Sequence, residues 1–153
     1  LGAIALSFAP CAFAATDDAL ALYRAGAYVR AAEMARAAGG AGNLVLASRA
    51  YLAQVVTEPR RGDVDRLVAQ ALATAERALR SAPDSVEARL QLAAAIGVKG
   101  RRMNLRTVLR AGYAPRSKRL IDEALARAPN EPWGRALLGG WHLEVLRRGG
   151  AMG

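Results

Sequence analysis

The sequence predicts an all-α fold, an α-α superhelix built from antiparallel helix pairs, and three observations carry that prediction. The 153 residues are rich in alanine, poor in aromatics (5%) and show little β-branched clustering, a composition that favours helices over strands. In Val68–Ile96, Ala71, Ala75, Ala78 and Leu79 fall at i, i+4, i+7 and i+8, one apolar stripe on one helix. That stretch is also echoed: ALATAERALRSAPDSVEARLQL (Ala71–Leu92) returns as RLIDEALARAPNEPWGRALLGGW (Arg119–Trp141). A helix pair cannot bury its stripe alone, so repeated pairs are expected to stack.

In chain order, Leu1–Ala15 is uncharged and almost wholly apolar, and is too short to span a bilayer comfortably. Ala12-Phe13-Ala14 before Ala15 fits the small-x-small pattern of signal peptidase, and the polar start Thr16-Asp17-Asp18 follows. Residues 1–15 are therefore expected to be a truncated signal peptide, cleaved near Ala14/Ala15, with a periplasmic or otherwise exported product. The alternative is a retained apolar first helix and a cytoplasmic address. Asp17–Ala25 is predicted to be a short helix capped by Thr16 or Asp17, and Gly26 breaks it. Tyr28–Ala38 returns and stops at Gly39-Gly40. Asn43 is expected to start Leu44–Val56, and Thr57–Gly62, with Pro59 and Gly62, to form a corner. Asp63 or Asp65 then opens the long helix.

Ala82-Pro83 closes that helix, because a residue before proline leaves the helical region. Asp84 and Glu87 offer a capping-box-like start for the next, whose predicted apolar face is Val86, Leu90, Ala93 and Gly97. Val98–Arg119 is the least repeat-like part, with eight basic residues and no acid. Leu105, Val108 and Leu109 predict a short helix, with Arg101, Arg102, Arg106 and Arg110 largely on its other side. Gly112-Tyr113-Ala114-Pro115 reads as a turn and Ser117–Ala128 as the return helix. Trp133–Leu146 follows an Asn130 cap and Pro132 in its first turn. It has no partner helix before Gly149–Gly153, so the repeat domain, 16–153, is expected to be incomplete at its C-terminus.

Gly26-x-Tyr28-x-x-Ala31 with Ala35 and Ala38, then Ala-x-x-Ala-Leu ending at Pro83 and again at Pro129, resembles the tetratricopeptide repeat. The resemblance covers most of the chain after residue 18 and implies stacked helix pairs with a concave inner groove. Pro83 and Pro129 lie farther apart than the repeat period, so the third repeat carries an insertion, and the second is stretched around Glu58–Gly62. The closing pattern Ile121-Asp122-x-Ala124-Leu125, then Leu138-Gly139-x-Trp141-His142-x-Glu144-Val145, is similar to the tetratricopeptide-like regulators of microtubule dynamics and their bacterial relatives. That likeness rests on a short segment and implies fold, not biology.

Patterns for catalysis are absent from the sequence. The only cysteine, Cys11, rules out a disulfide within the chain, and the only histidine, His142, is no basis for a metal cluster. A serine nucleophile would have only His142 as its base. Asp17/Asp18, Asp63/Asp65 and Asp122/Glu123 mostly sit near predicted helix starts, where the dipole favours them. Gly39-Gly40-Ala41-Gly42 lacks the lysine and hydroxyl of a phosphate loop. No enzyme and no cofactor are expected.

The net charge is +9, with arginine far above lysine, a bias that a GC-rich genome also produces. The run Lys99–Arg119 is either a solvated helix face or a docking surface for an acidic protein or anionic lipid. Nucleic acid is disfavoured, since Tyr113 is its sole stacking aromatic. The expectation is a noncatalytic, exported interaction scaffold. Its groove is lined by Leu44–Val56, Val86–Val98 and Trp133–Leu146, and Arg49, Arg89, Arg101, Arg102 and Arg106 are to contact a protein or peptide partner. The alternative is a membrane-surface accessory protein contacting anionic lipid through residues 99–119.

Overall fold

Glycine and proline punctuation fixes most of the helix boundaries. The computed structural model describes residues 11–58 and 63–149, and among these there are eight α-helices and no strand. They are α1 (Cys11–Arg24), α2 (Tyr28–Ala38), α3 (Ala41–Thr57), α4 (Val64–Ser81), α5 (Val86–Arg101), α6 (Leu105–Arg110), α7 (Tyr113–Arg127) and α8 (Pro132–Gly149). Gly39 and Gly40 take φ of +72° and +75° between α2 and α3, a conformation that side chains other than glycine's resist. Asp63 caps α4 by accepting from the Arg66 amide at 3.1 Å. The expected residue 1–10 portion of a signal segment, the 59–62 part of the α3–α4 corner and the 150–153 tail lie outside the described residues.

Several boundaries differ from expectation, each for a local reason. α1 begins at Cys11 rather than Asp17, and Thr16 donates to Asn43 Oδ1 at 2.9 Å, tying α1 to α3. Asn43 is thus a bridging residue inside α3, which Gly40 precedes. Ser85 caps α5, accepting from Ala88 N at 3.1 Å. Asp84 instead faces Arg127 at 3.6 Å and Glu87 binds Arg49 at 2.8 Å. Tyr113-Ala114-Pro115 is the first turn of α7 and not a free turn, since a proline there lacks only an amide that would be orphaned anyway. Gly112, left-handed at φ +64°, makes the corner. At α8 the cap is Glu131, whose carboxylate accepts from Gly134 N, while Asn130 accepts from Arg135.

The helices stack in two layers. Each packs on its neighbour in sequence, except that α5 packs on α7 rather than on the short α6, and α1–α3, α3–α5 and α5–α8 also touch. The Arg116–Glu76 ion pair at 3.0 Å links α7 to α4, but no contact as extensive joins α2, α4 and α7 to one another. The α1/α3/α5/α8 layer is therefore the more closely packed of the two. Fully buried alanines (Ala31, Ala47, Ala50, Ala71, Ala75 and Ala88) stand between the layers, and such small contacts let helix axes approach closely.

α5 is the centre. The predicted single face is corrected here: Ala88, Leu90, Leu92, Ala93, Ala95, Ile96, Val98 and Gly100 are all buried, together with Arg89 and Gln91. Val86 and Gly97, assigned to that face, are only half-buried. A helix walled on most sides shows no amphipathic stripe to read. The buried Gln91 amide is half satisfied across helices: Nε2 donates to Ser48 Oγ at 3.0 Å and Ser48 donates to the Ala71 carbonyl at 2.9 Å, while Oε1 has no partner among the described residues. At the far end α6 is inserted between α5 and α7, and only Gly134 of α8 is fully buried.

Candidate functional site

A concavity lies beside the insertion. α6 packs on α7 and brings Val108 into the core, while Leu105 is half-buried and Leu109 is left 61% exposed. α8 is held at this end by two side-chain bonds. Trp141 Nε1 donates to the Ala114 carbonyl at 3.0 Å and Arg148 donates to the Met103 carbonyl at 3.3 Å, while Glu144, one turn earlier in α8, pairs with Arg148. Between these supports lies a slot of about 680 Å³. Its apolar walls come from Ile96 of α5, Leu105 and Val108 of α6, Tyr113 of α7, and Trp141 and Val145 of α8. The volume lies within the range of roughly 300–1,000 Å³ usual for small-molecule sites.

Charge surrounds this apolar interior. Lys99 lies over the Tyr113 ring at 5.6 Å and Lys118 over the Trp141 ring at 5.8 Å, cation–π distances that fix both rings. Lys118 is also bound to Asp122 at 2.7 Å. The Arg147 hydrogen bond holds the Glu144 carboxyl below the usual carboxylate range; partial burial pushes the other way, and Arg148 adds to the lowering. Arg101 and Arg119 also line the slot, and neither has an ion-pair partner among the described residues. Arg101 Nη1 folds back to 3.9 Å from the position a Cβ would take on Gly97.

The five arginines singled out in the sequence do not form one surface. Arg49 of α3 binds Glu87 and lies 5.4 Å over the Trp133 ring, so it touches α5's start and α8's start together. Arg89 is nine-tenths buried and gives Nε to Glu123 of α7 at 3.2 Å. Arg101 and Arg102 belong to the end of α5 rather than to the far side of α6. Arg102 is spent on Asp65 of α4 at 2.9 Å, whereas Arg106 stands exposed on α6. Arg49, Arg89 and Arg102 thus tie helices together, and only Arg101 and Arg106 have guanidinium groups without an ion pair among the described residues.

No protein-family model matches the chain, and no curated protein matches it either. Among the described residues no three His, Cys, Asp or Glu side chains are grouped as a metal would require. No described helix is long and apolar enough to cross a membrane. His142 is exposed beside Trp141, with ring centroids 5.2 Å apart. The acidic residues act as caps or ion-pair partners: Asp63 on α4, Asp65 with Arg102, Asp122 with Lys118 and Glu123 with Arg89.

Sequence reasoning missed the slot and with it Arg119, Lys118 and Trp141. The signal that could have found it was the inserted segment itself. Twenty-odd residues of basic and apolar character between two repeat-like helices must open a space beside the second one.

Proposed function

We propose that the chain is a noncatalytic helical-repeat scaffold of the tetratricopeptide-like class, exported from the cytoplasm, that holds a peptide or protein partner along its concave layer. The observation that carries this reading is Arg49. An exposed cation resting on Trp133 and bonded to Glu87 joins the three helices α3, α5 and α8 on the concave side, where a carboxylate of an incoming segment can exchange with Glu87 for the same guanidinium. Ala53, Ala94 and Gly97 leave that side shallow. Placing a photo-crosslinking side chain at Ala53, and separately at Arg77 on the solvent side of α4, tests it in the native host. A specific adduct at position 53 and none at 77 is expected; equal labelling at both contradicts a concave-side partner. Export is tested by the intact mass from the periplasmic fraction, expected to start at Ala15 or Thr16.

A second reading is favoured by α6 alone. Leu109 protrudes at 61% exposure between the exposed Arg106 and Arg110, a pairing of apolar tip and cationic flank suited to an anionic bilayer surface. Flotation with anionic vesicles, reversed by salt and by Leu109→Asp, supports it; flotation unaffected by either removes it.

A further inference from the structure

We propose that the slot between α5, α6, α7 and α8 is a binding site for a single-chain fatty acid, its alkyl chain inside and its carboxylate on Arg101 and Arg119. This site borders the concave-side surface at Gly97, but the inference does not rest on that reading.

The chemistry of the lining points to an alkyl chain. Ile96, Leu105, Val108 and Val145 supply aliphatic wall, and the two aromatic rings, Tyr113 and Trp141, are each fixed by a lysine. Trp141 has already given its Nε1 hydrogen to Ala114, and Ser117 its hydroxyl to the Ala93 carbonyl at 3.2 Å. Neither offers a spare donor to a polar ligand body.

The α7 wall of the slot runs from Tyr113 to Glu123, about 15 Å at 1.5 Å per residue, a length that an extended alkyl chain can follow.

The head group follows from charge. Every acid in the lining is already paired, Asp122 with Lys118, Glu123 with Arg89 and Glu144 with Arg147 and Arg148. Arg101 and Arg119 have no ion-pair partner among the described residues. Two uncommitted guanidinium groups border the apolar slot, and a carboxylate head group is a ligand that either can hold with charge-assisted hydrogen bonds.

The experiment is calorimetric titration of the full chain with dodecanoate below its micellar range, with dodecanol as the uncharged probe. Gly100 lines the slot and a Cβ added there meets nothing within 4 Å, so Gly100→Leu has room for its first carbon and is expected to fill the site. Val145→Trp narrows it from α8 and serves if Gly100→Leu changes the melting curve. Saturable one-to-one dodecanoate binding is expected, reduced more than about tenfold by the filling variant. Arg101→Gln with Arg119→Gln is expected to weaken dodecanoate by about tenfold or more and to leave dodecanol unchanged. Absence of saturable binding, full affinity in a folded slot-filled variant, or dodecanol binding as tightly as dodecanoate overturns the proposal. So does displacement of the slot's occupant by an acidic amphipathic peptide at lower concentration than by dodecanoate, which would make this a protein-docking groove.

Discussion

Arg89 is nine-tenths buried, gives Nε to Glu123 and has no hydrogen-bond partner at Nη1. A desolvated guanidinium with an incomplete set of acceptors holds α5 to α7 at a cost, and an apolar group of similar length can do as well. Arg89→Met is therefore expected to fall within about 1 kcal/mol of the native stability, or above it. Glu123→Ala, which strands the cation, is expected to cost about 1–2 kcal/mol, kept low by Glu123's own exposure. Urea denaturation of the two variants gives the ordering. At the start of α5 the sequence offers Asp84 and Ser85 in succession, and only tertiary contacts decide between them. Glu87 is drawn to Arg49 and Asp84 to Arg127, leaving Ser85 to cap. Ser85→Ala is expected to lose about 1 kcal/mol and Asp84→Ala less than half of that, a difference visible in thermal melts. One residue of phase was illegible in the sequence because both side chains are good caps.

At the scale of elements, legibility follows asymmetry of environment. α4 has one face in the core and one in water, so Ala71, Ala75 and Ala78 showed its buried side in advance. α5 is walled in on most sides, so the single face assigned to it fails at Arg89 and Gln91. The break after Gly97 was visible as composition, but α5 in fact runs on to Arg101 and α6 is a separate turn. The slot was invisible because its walls come from four helices far apart in sequence. α8 is the lightly held element, and both tryptophans, Trp133 and Trp141, report on it. Glu144, with its carboxyl held below the usual range by Arg147, binds Arg148, which in turn reaches the Met103 carbonyl. A depressed folded-state pKa gives a contribution fully present above the unfolded glutamate value, near 4.3. It is lost as pH falls through the lower folded value. Tryptophan fluorescence is expected to show α8's end loosening on acidification in that window, and Glu144→Gln is expected to abolish that step while loosening α8 at neutral pH.

For the whole molecule, a stack in which each helix pair depends on its neighbours should open from its less supported end. α5, buried along most of its length, should exchange its amide hydrogens slowest, and the last turns of α8 among the fastest. The two-layer order was legible from the repeated Ala-Pro corners at 82–83 and 128–129, which place antiparallel helices side by side. A concave direction is implied only by the repeat resemblance; the α1–α3, α3–α5 and α5–α8 contacts show which layer packs more closely. The claim that joins these scales is that the inserted α6 turns one joint of the stack into a ligand slot. Hydrogen-exchange mass spectrometry of the full chain, with and without dodecanoate, tests it most directly. Slower exchange confined to the end of α5, α6, the first half of α7 and the last half of α8 is the predicted result. Exchange that is unchanged by dodecanoate, or slowed chiefly in α2 and α3, would contradict it.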